Sequence, residues 1–424
     1  MGSPLHRSVE FSSKIFKYWI IDRPNRRRGV IFQNGKEHWE AIDEGDGILD
    51  SQISTTIFDW EKWWVVNTTT RGHVIFSEAY SPHALNATKG RPVVYLDQNH
   101  WSTLGQVMVD PTRVKKKSEI EPSCDLIRLA QDGRVILPLS SANMRETGAL
   151  HGDRRYEVGL AMASLACGWM MRDPLAVRRF EFTSMLAQRF DLEVPALVQR
   201  PVFTLEPFAA FDRKPDSGLL DPASFELFKL AQLSPSVILD VLLDSEGLPS
   251  RPPPEWAQCN QRFTEFLRDS NFPKKEKKFR SYAYTWTDCA DSIQKALLLL
   301  GRRSGDLSSI EVADLPKLLG SMKMLGLYAQ VTMRRHTNKD TKWVGNDLTD
   351  LVYLSCAAAY ADFVAAEKRT AEDLRQAHQV LGNKNNIFST IGALVKAVHE
   401  SGVQTKTDRM GAPESPVKGG PEET

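Results

Sequence analysis

Between residue 5 and about residue 90, short runs of β-branched and aromatic residues alternate with turn-forming pairs. Val30-Ile31-Phe32, Ile53 to Phe58, Trp63 to Thr68 and His73 to Phe76 are such runs, and residues of this kind suit a pleated, half-buried surface. Asn34-Gly35 and Arg71-Gly72 stand between them as hairpin connections. Asn-Gly is the strongest short-range signal of this kind because the favoured two-residue turn needs positive φ. Trp19, Trp39, Trp60, Trp63 and Trp64, half of the ten tryptophans, fall in this stretch. A small β-rich N-terminal domain over 5–90 is expected.

From Arg91 the texture becomes strand, helix, strand. Val93-Val94-Tyr95-Leu96 is a short apolar strand and Arg134 to Leu139 another, an alternation that predicts a parallel sheet flanked by helices. From 151 to 309 the pattern is that of a large helical insertion. Helices are expected over 156–172, 223–244 and 288–301, with a further one at 313–336, and loops such as Leu248 to Pro254 separate them. Asn346 to Tyr360 reads as another helix and Ala361 to Ala366 as a strand, so the α/β texture of 91–150 resumes over 310–400. Residues 401–424 are rich in Gly, Pro, Ser, Thr and Glu, cannot offset the entropy of ordering, and are expected to be a disordered tail.

Composition narrows the class. The 424 residues are enough for two or three structural units. At 42% hydrophobic and 25% charged, wholesale disorder is excluded. Lys plus Arg number 54 against 53 Asp plus Glu, so no overall field draws the chain to a polyanion, and a nucleic-acid partner must be held by a local patch. Cys124, Cys167, Cys259, Cys289 and Cys356 are scattered and never form a C-x-x-C pair, which argues against a disulfide framework or a cysteine zinc site and points to a reducing cytoplasm. The longest apolar stretch, Gly159 to Met171, is too short to cross a bilayer, and no secretory signal or membrane association is expected.

The candidate chemistry is carboxylate. Asp97 follows the strand Val93–Leu96, at the strand end where open α/β sheets gather ligands; an N-cap for the next helix is the plainer reading. Glu146 lies about one turn into the helix after the second strand, with Asn143 at capping-box spacing. Asp347 and Asp350 share a face at the start of a helix, where the macrodipole favours acids. Asp362 and Glu367 flank the last short strand, and Glu367 has Lys368 and Arg369 beside it as surface partners. Converging carboxylates repel, and oxygen-only ligands select Mg²⁺ or Mn²⁺ over zinc.

In order, Val94-Tyr-Leu-Asp-Gln-Asn99 with Ser102, then Glu146, then Asn346-Asp-Leu-Thr-Asp-Leu351 running on to Tyr360-Ala-Asp-Phe-Val-Ala-Ala-Glu-Lys368 resemble the acidic signature of PIN-like domain nucleases. The resemblance implies a compact α/β fold around a parallel sheet, a carboxylate Mg²⁺ or Mn²⁺ site and endonucleolytic cleavage, usually of RNA. It implies Asp97, Glu146, Asp350 and Glu367 as the acids, Asn99 and Ser102 as polar neighbours, and Asp347 and Asp362 as further acids able to take a ligand role. It covers 91–150 and 310–382, and departs from the family in Glu rather than Asp at 367 and in the residues inserted between Glu146 and Asp347. A toxin or defence effector restrained by an inhibitory protein partner is compatible with it; a binding module without catalysis is the competing reading.

Lys274, Lys275, Lys277, Lys278 and Arg280, followed by Tyr282, Tyr284 and Trp286, mix cations and stacking surfaces in the manner of single-strand binding, unless the cations line a solvated loop and the rings are core. Lys115 to Lys117 and Arg26 to Arg28 are shorter basic runs. His100, beside Asp97, is a candidate for a phosphate contact or proton relay, or a packed histidine. Phosphate-loop, dinucleotide, zincin and serine-hydrolase motifs are absent.

Overall fold

The computed structural model describes residues 14–43, 51–80, 88–206, 209–211, 235–243 and 254–404. The expected tail beyond residue 404, residues 223–234 of an expected helix and most of the loop Leu248–Pro254 lie outside them.

The N-terminal runs form β1 (Phe16–Asp22), β2 (Arg27–Phe32), β3 (Glu37–Ala41), β4 (Ile53–Asp59), β5 (Trp64–Thr69) and β6 (Val74–Glu78). They make one antiparallel sheet in the order β3-β2-β1-β4-β5-β6. Gly35 and Gly72 turn its hairpins with φ of 80° and 85°, a region that side chains with a Cβ resist. Phe58, Trp60 and Val65 form a small core on one face with Trp19 and Trp63 against it.

The sheet docks tightly on the rest of the chain. Ile53 and Ile75 belong to the same apolar cluster as Val94 and Leu96. Arg91 grips Glu78 with two bonds of 2.7 and 2.9 Å, and the indole of Trp169 donates to the same carboxylate at 3.1 Å. Asp240 accepts from Ser51 Oγ at 2.6 Å and from the Gln52 N–H at 3.0 Å.

The second sheet is short and parallel. β7 (Val94–Leu96), β10 (Phe363–Ala365) and β11 (Ile387–Phe388) pair in the order β11-β10-β7. The strand expected at Arg134–Leu139 is reduced to two single parallel bridges, Val93 to Ile136 and Leu139 to Met170. That segment carries the ladder toward β8 (Met170–Met171), which pairs antiparallel with β9 (Phe203–Thr204).

Helices cover both faces. Val94 and Leu96 point into one core, packed by α1 (Gln98–Val109), α2 (Ile120–Gln131), α3 (Ser141–Gly148), α4 (Gly152–Ala166) and α14 (Ile391–Glu400). Val93 and Tyr95 point into the other, built by α5 (Pro174–Arg189), α11 (Lys323–Thr337), α12 (Asp347–Tyr360) and α13 (Lys368–Leu381). Alternate strand residues feed opposite cores, as a sheet covered on both sides requires. The remaining helices are α6 (Pro235–Leu243), α7 (Pro254–Asp269), α8 (Lys274–Asp288), α9 (Ala290–Leu299) and α10 (Leu315–Gly320). The apolar stretch Gly159–Met171 supplies the end of α4 and then β8, separated by Cys167 at φ 49° and Gly168 at φ 86°. Among the described residues no helix is long and apolar enough to cross a membrane, and all five cysteines are free.

One buried carboxylate joins the layers. Glu181 on α5 accepts from the N–H groups of Met324 and Leu325, in the first turn of α11, at 2.7 and 3.0 Å, and from the Tyr360 hydroxyl at 2.6 Å. It caps a helix that has no cap of its own. Burial pushes its pKa up, opposed by these bonds. Glu181→Ala leaves two helix N–H groups and a hydroxyl without their acceptor, and is expected to cost about 3 kcal/mol. Tyr360→Phe is expected to cost about 1 kcal/mol; urea unfolding midpoints of the two variants measure the difference.

Candidate carboxylate site

Because β7 and β10 run parallel, the residues that follow them leave the sheet at one edge. Asp97 comes directly after β7 and caps α1, its Oδ1 accepting from the Gln98 N–H at 2.8 Å. Glu367 opens α13, one residue beyond Ala366. Ser140 opens α3 at the end of the bridged segment, and Glu146 follows on that helix. The helix α12 leads back to the start of β10, so its first turn, with Asp350, returns to the same edge. Four acids remote in sequence are thereby placed at the carboxyl edge of the parallel strands, with helix N-termini behind them.

Side chains brace this arrangement. Tyr95 and Ser140 share a 2.9 Å hydroxyl bond, Ser141 and Tyr353 one of 2.7 Å, and Gln98 donates to Thr147 at 2.8 Å. Arg145 donates to Thr349 at 2.5 Å, tying α3 to α12. Asn99 donates to the Glu367 carboxylate across the β7–β10 junction. The capping box of α3 is Ser140 with Asn143, not Asn143 with Glu146, so Glu146 has no part in starting its helix.

The electrostatics single out two groups. Among the described residues, the side-chain carboxylates of Glu146 and Asp350 receive no hydrogen bond and join no ion pair. Burial, then the charges of Asp97 and Asp350, push the Glu146 carboxyl up to about 7. Burial, then the charges of Asp97, Asp347 and Glu367, push Asp350 up to about 7 as well. Asp97 is raised by burial, against the N–H groups of Gln98 and Glu367. Glu146 and Asp350 therefore feel the charges of Asp97 and Glu367. Among the described residues, no three His, Cys, Asp or Glu side chains stand close enough to form a ready ligand cage; the carboxylates are neighbours held apart. By type they are oxygen-only donors, the kind a hard divalent cation takes, but their spacing is wider than a single ready cage.

Two of the expected ligands are engaged elsewhere. Asp347 is buried, paired with Arg335 at 2.7 Å, and accepts from the Val344 N–H at 2.6 Å. Asp362 lies at the amino end of β10 and accepts from the Val93 N–H at 2.8 Å, across the sheet from Asp97. It lines a cleft of about 720 Å³ with Lys384, Asn385 and Asn386 at that opposite edge. Ser102 is half-buried on α1, one turn beyond Asn99. His100 is held below the ordinary imidazole range by burial, against the charges of Glu119 and Glu367.

The basic run lies on the first turns of α8, a helix rather than a loop. Lys274, Lys275 and Lys278 are exposed and Lys277 is half-buried, while Arg280 pairs with Glu276 at 2.8 Å and lies over Phe272 at 3.9 Å. The aromatic residues face inward: Tyr282 is buried, Tyr284 stacks on Phe263 at 4.3 Å, and Trp286 packs edge-on to Phe182. Tyr282 is core, Trp286 packs against that core and Tyr284 is half-buried against Phe263. Of the shorter runs, Lys116 pairs with Glu119, Arg27 with Asp22 and Arg28 with Glu40.

Arg145, Thr349 and Tyr353 were not singled out by motif. Tyr353 lies three residues after Asp350 and so shares its helix face, a spacing visible in the sequence. Comparison of the chain with protein-family models, curated proteins and solved structures gave no match.

Glu146 and Asp350 titrate near 7 in the folded chain and near 4 when unfolded. Between these values the folded state binds more protons, so its stability falls as pH rises from about 4 to about 7. The expected loss is at most a few kcal/mol for the coupled pair, reduced by the solvent that reaches both groups. Urea unfolding in EDTA across that range measures it, and Asp350→Asn should flatten the slope.

Proposed function

We propose that the chain is a metal-dependent nuclease of the PIN-like type that hydrolyses phosphodiester bonds in RNA. The observation that carries this reading is the pair Glu146 and Asp350, two half-buried carboxylates without protein donors, coupled by charge to Asp97 and Glu367. Asp97, Glu146, Asp350 and Glu367 would hold Mg²⁺ or Mn²⁺, and Asp347 and Asp362 would not. When bound, such an ion supplies Lewis-acid charge and lowers the pKa of water.

The chain's own residues do the rest. Asn99 fixes the Glu367 carboxylate, and the Gln98 N–H fixes that of Asp97, so both acids are oriented before substrate arrives. Tyr95, Ser140, Ser141 and Tyr353 lock α3 and α12 to the sheet end, which limits how far Glu146 and Asp350 drift apart. The lysines at the start of α8 stand where the macrodipole favours anions, and would hold the RNA backbone as phosphate contacts.

The wide spacing of the acids favours one rival, a PIN-like module that binds nucleic acid without cutting it. Calorimetric titration with Mn²⁺ and incubation with labelled single-stranded RNA separate the two. The nuclease reading expects metal uptake with cleavage, and a loss of at least about 10³-fold in Asp97→Asn with its circular dichroism unchanged. RNA binding without metal uptake or cleavage overturns it. Replacing Lys274, Lys275, Lys277 and Lys278 with Ala should flatten the dependence of log K on log salt by up to about 3.

A further inference from the structure

We propose that Arg145 is the phosphate-binding side chain of the carboxylate site, its guanidinium taking non-bridging oxygens of the phosphodiester to be cleaved. The inference rests on the nuclease reading above.

Four acids that attract a cation also repel the anionic substrate. A diester can approach them only if a fixed positive charge is held nearby and is not already neutralised by the acids themselves. Arg145 meets both conditions. It precedes Glu146 on α3 and donates from Nη2 to Thr349 Oγ1 at 2.5 Å, the residue before Asp350 on α12. Its guanidinium therefore bridges the two helices that carry the unpartnered acids.

Thr349 is a neutral anchor. It holds the guanidinium in place without consuming its charge, and a guanidinium has five N–H donors. Glu146 senses that charge, yet among the described residues Arg145 enters no ion pair. The contrast with Arg335 is direct: Arg335 is buried, bonded to Asp347 at 2.7 Å and laid over Trp343 at 4.6 Å, so it is spent within the fold. Arg145 is exposed. A planar fork of free N–H groups matches two phosphate oxygens better than the point charge of a lysine. The role is electrostatic and transfers no proton; it stabilises charge that builds on the phosphate oxygens as the bond to the leaving oxygen breaks.

The test uses the full chain, Mn²⁺ and a fluorescently labelled single-stranded RNA in single-turnover cleavage, with Mn²⁺ affinity measured by calorimetry. Arg145→Ala should slow cleavage about 100-fold or more while Mn²⁺ affinity changes less than about twofold and the melting temperature holds. Arg145→Lys should recover only part of the rate. Millimolar guanidinium, too dilute to unfold the protein, should restore activity to Arg145→Ala and leave Asp97→Asn inactive. Thr349→Val should raise KM more than it lowers kcat.

Cleavage by Arg145→Ala within about twofold of the native rate overturns the inference, as does a loss matched by an equal loss of Mn²⁺ affinity. Either result with Asp97→Asn inactive leaves the nuclease reading standing. Native protein that neither takes up Mn²⁺ nor cuts RNA overturns both.

Discussion

The ladder between β7 and β10 is the constraint from which the candidate site follows. Its last bond runs from the Asp97 N–H to the Ala365 carbonyl at 2.9 Å. That bond sets Asp97 beside the start of α13 and lets Asn99 reach Glu367, 268 positions away. Closing a flexible loop of that length costs about 5 kcal/mol in chain entropy. The chain between is not flexible, because its helices pack into the same two cores as the strands. Register is enforced by those cores: Val364 belongs to one and Ala365 to the other. A slip of one residue would exchange their faces, breaking both packing layers and separating Asp97 from Glu367.

The features legible in the sequence were those written locally. Hairpins at Asn34-Gly35 and Arg71-Gly72 follow from a backbone conformation that glycine adopts freely. The helix at Asp347–Tyr360 and the strand after it follow from contiguous apolar residues. The strand β3 escaped because Glu37 and Glu40 interrupt the apolar pattern, and cross-strand pairs such as Arg28 with Glu40 accommodate those charges; β1 was not singled out although Tyr18 to Ile21 is an unbroken apolar run. Arg134–Leu139 is apolar enough for a strand, but it pairs at only two points as it passes from Val93 to Met170.

The fate of each acid was legible only in part. Asp97, Glu146, Asp350 and Glu367 were placed by strand ends and helix starts, which sequence pattern shows. Asp347 has the same surroundings in sequence, yet the fold brings Arg335 to it. Asp362 stands five residues before Glu367 but across the short strand, so the length of β10 alone sends it to the other edge. The rings after the basic run were ambiguous for the same reason: helix α8 turns Tyr282 toward Gln330 and Tyr284 toward Phe263. These distinctions depend on tertiary partners, which no local window contains.

What separates the structural carboxylates from the candidate ones is how completely the chain answers their charge. Glu181 has three donors, Asp347 an arginine and an N–H, and Glu78 a forked arginine and an indole. Burying a carboxylate is tolerable on such terms. Glu146 and Asp350 have no protein donor, and the chain instead turns the N-termini of α1, α3, α12 and α13 toward their edge of the sheet. Each such terminus carries roughly half an elementary charge, so together they offset about half of four carboxylates. The Arg145 guanidinium offsets part of the rest at Glu146, and the negative charge that remains is what the proposed divalent ion would meet. Without it, protonation near neutral pH is the only other relief open to Glu146 and Asp350, so the unusual titration and the proposed metal affinity would have one origin.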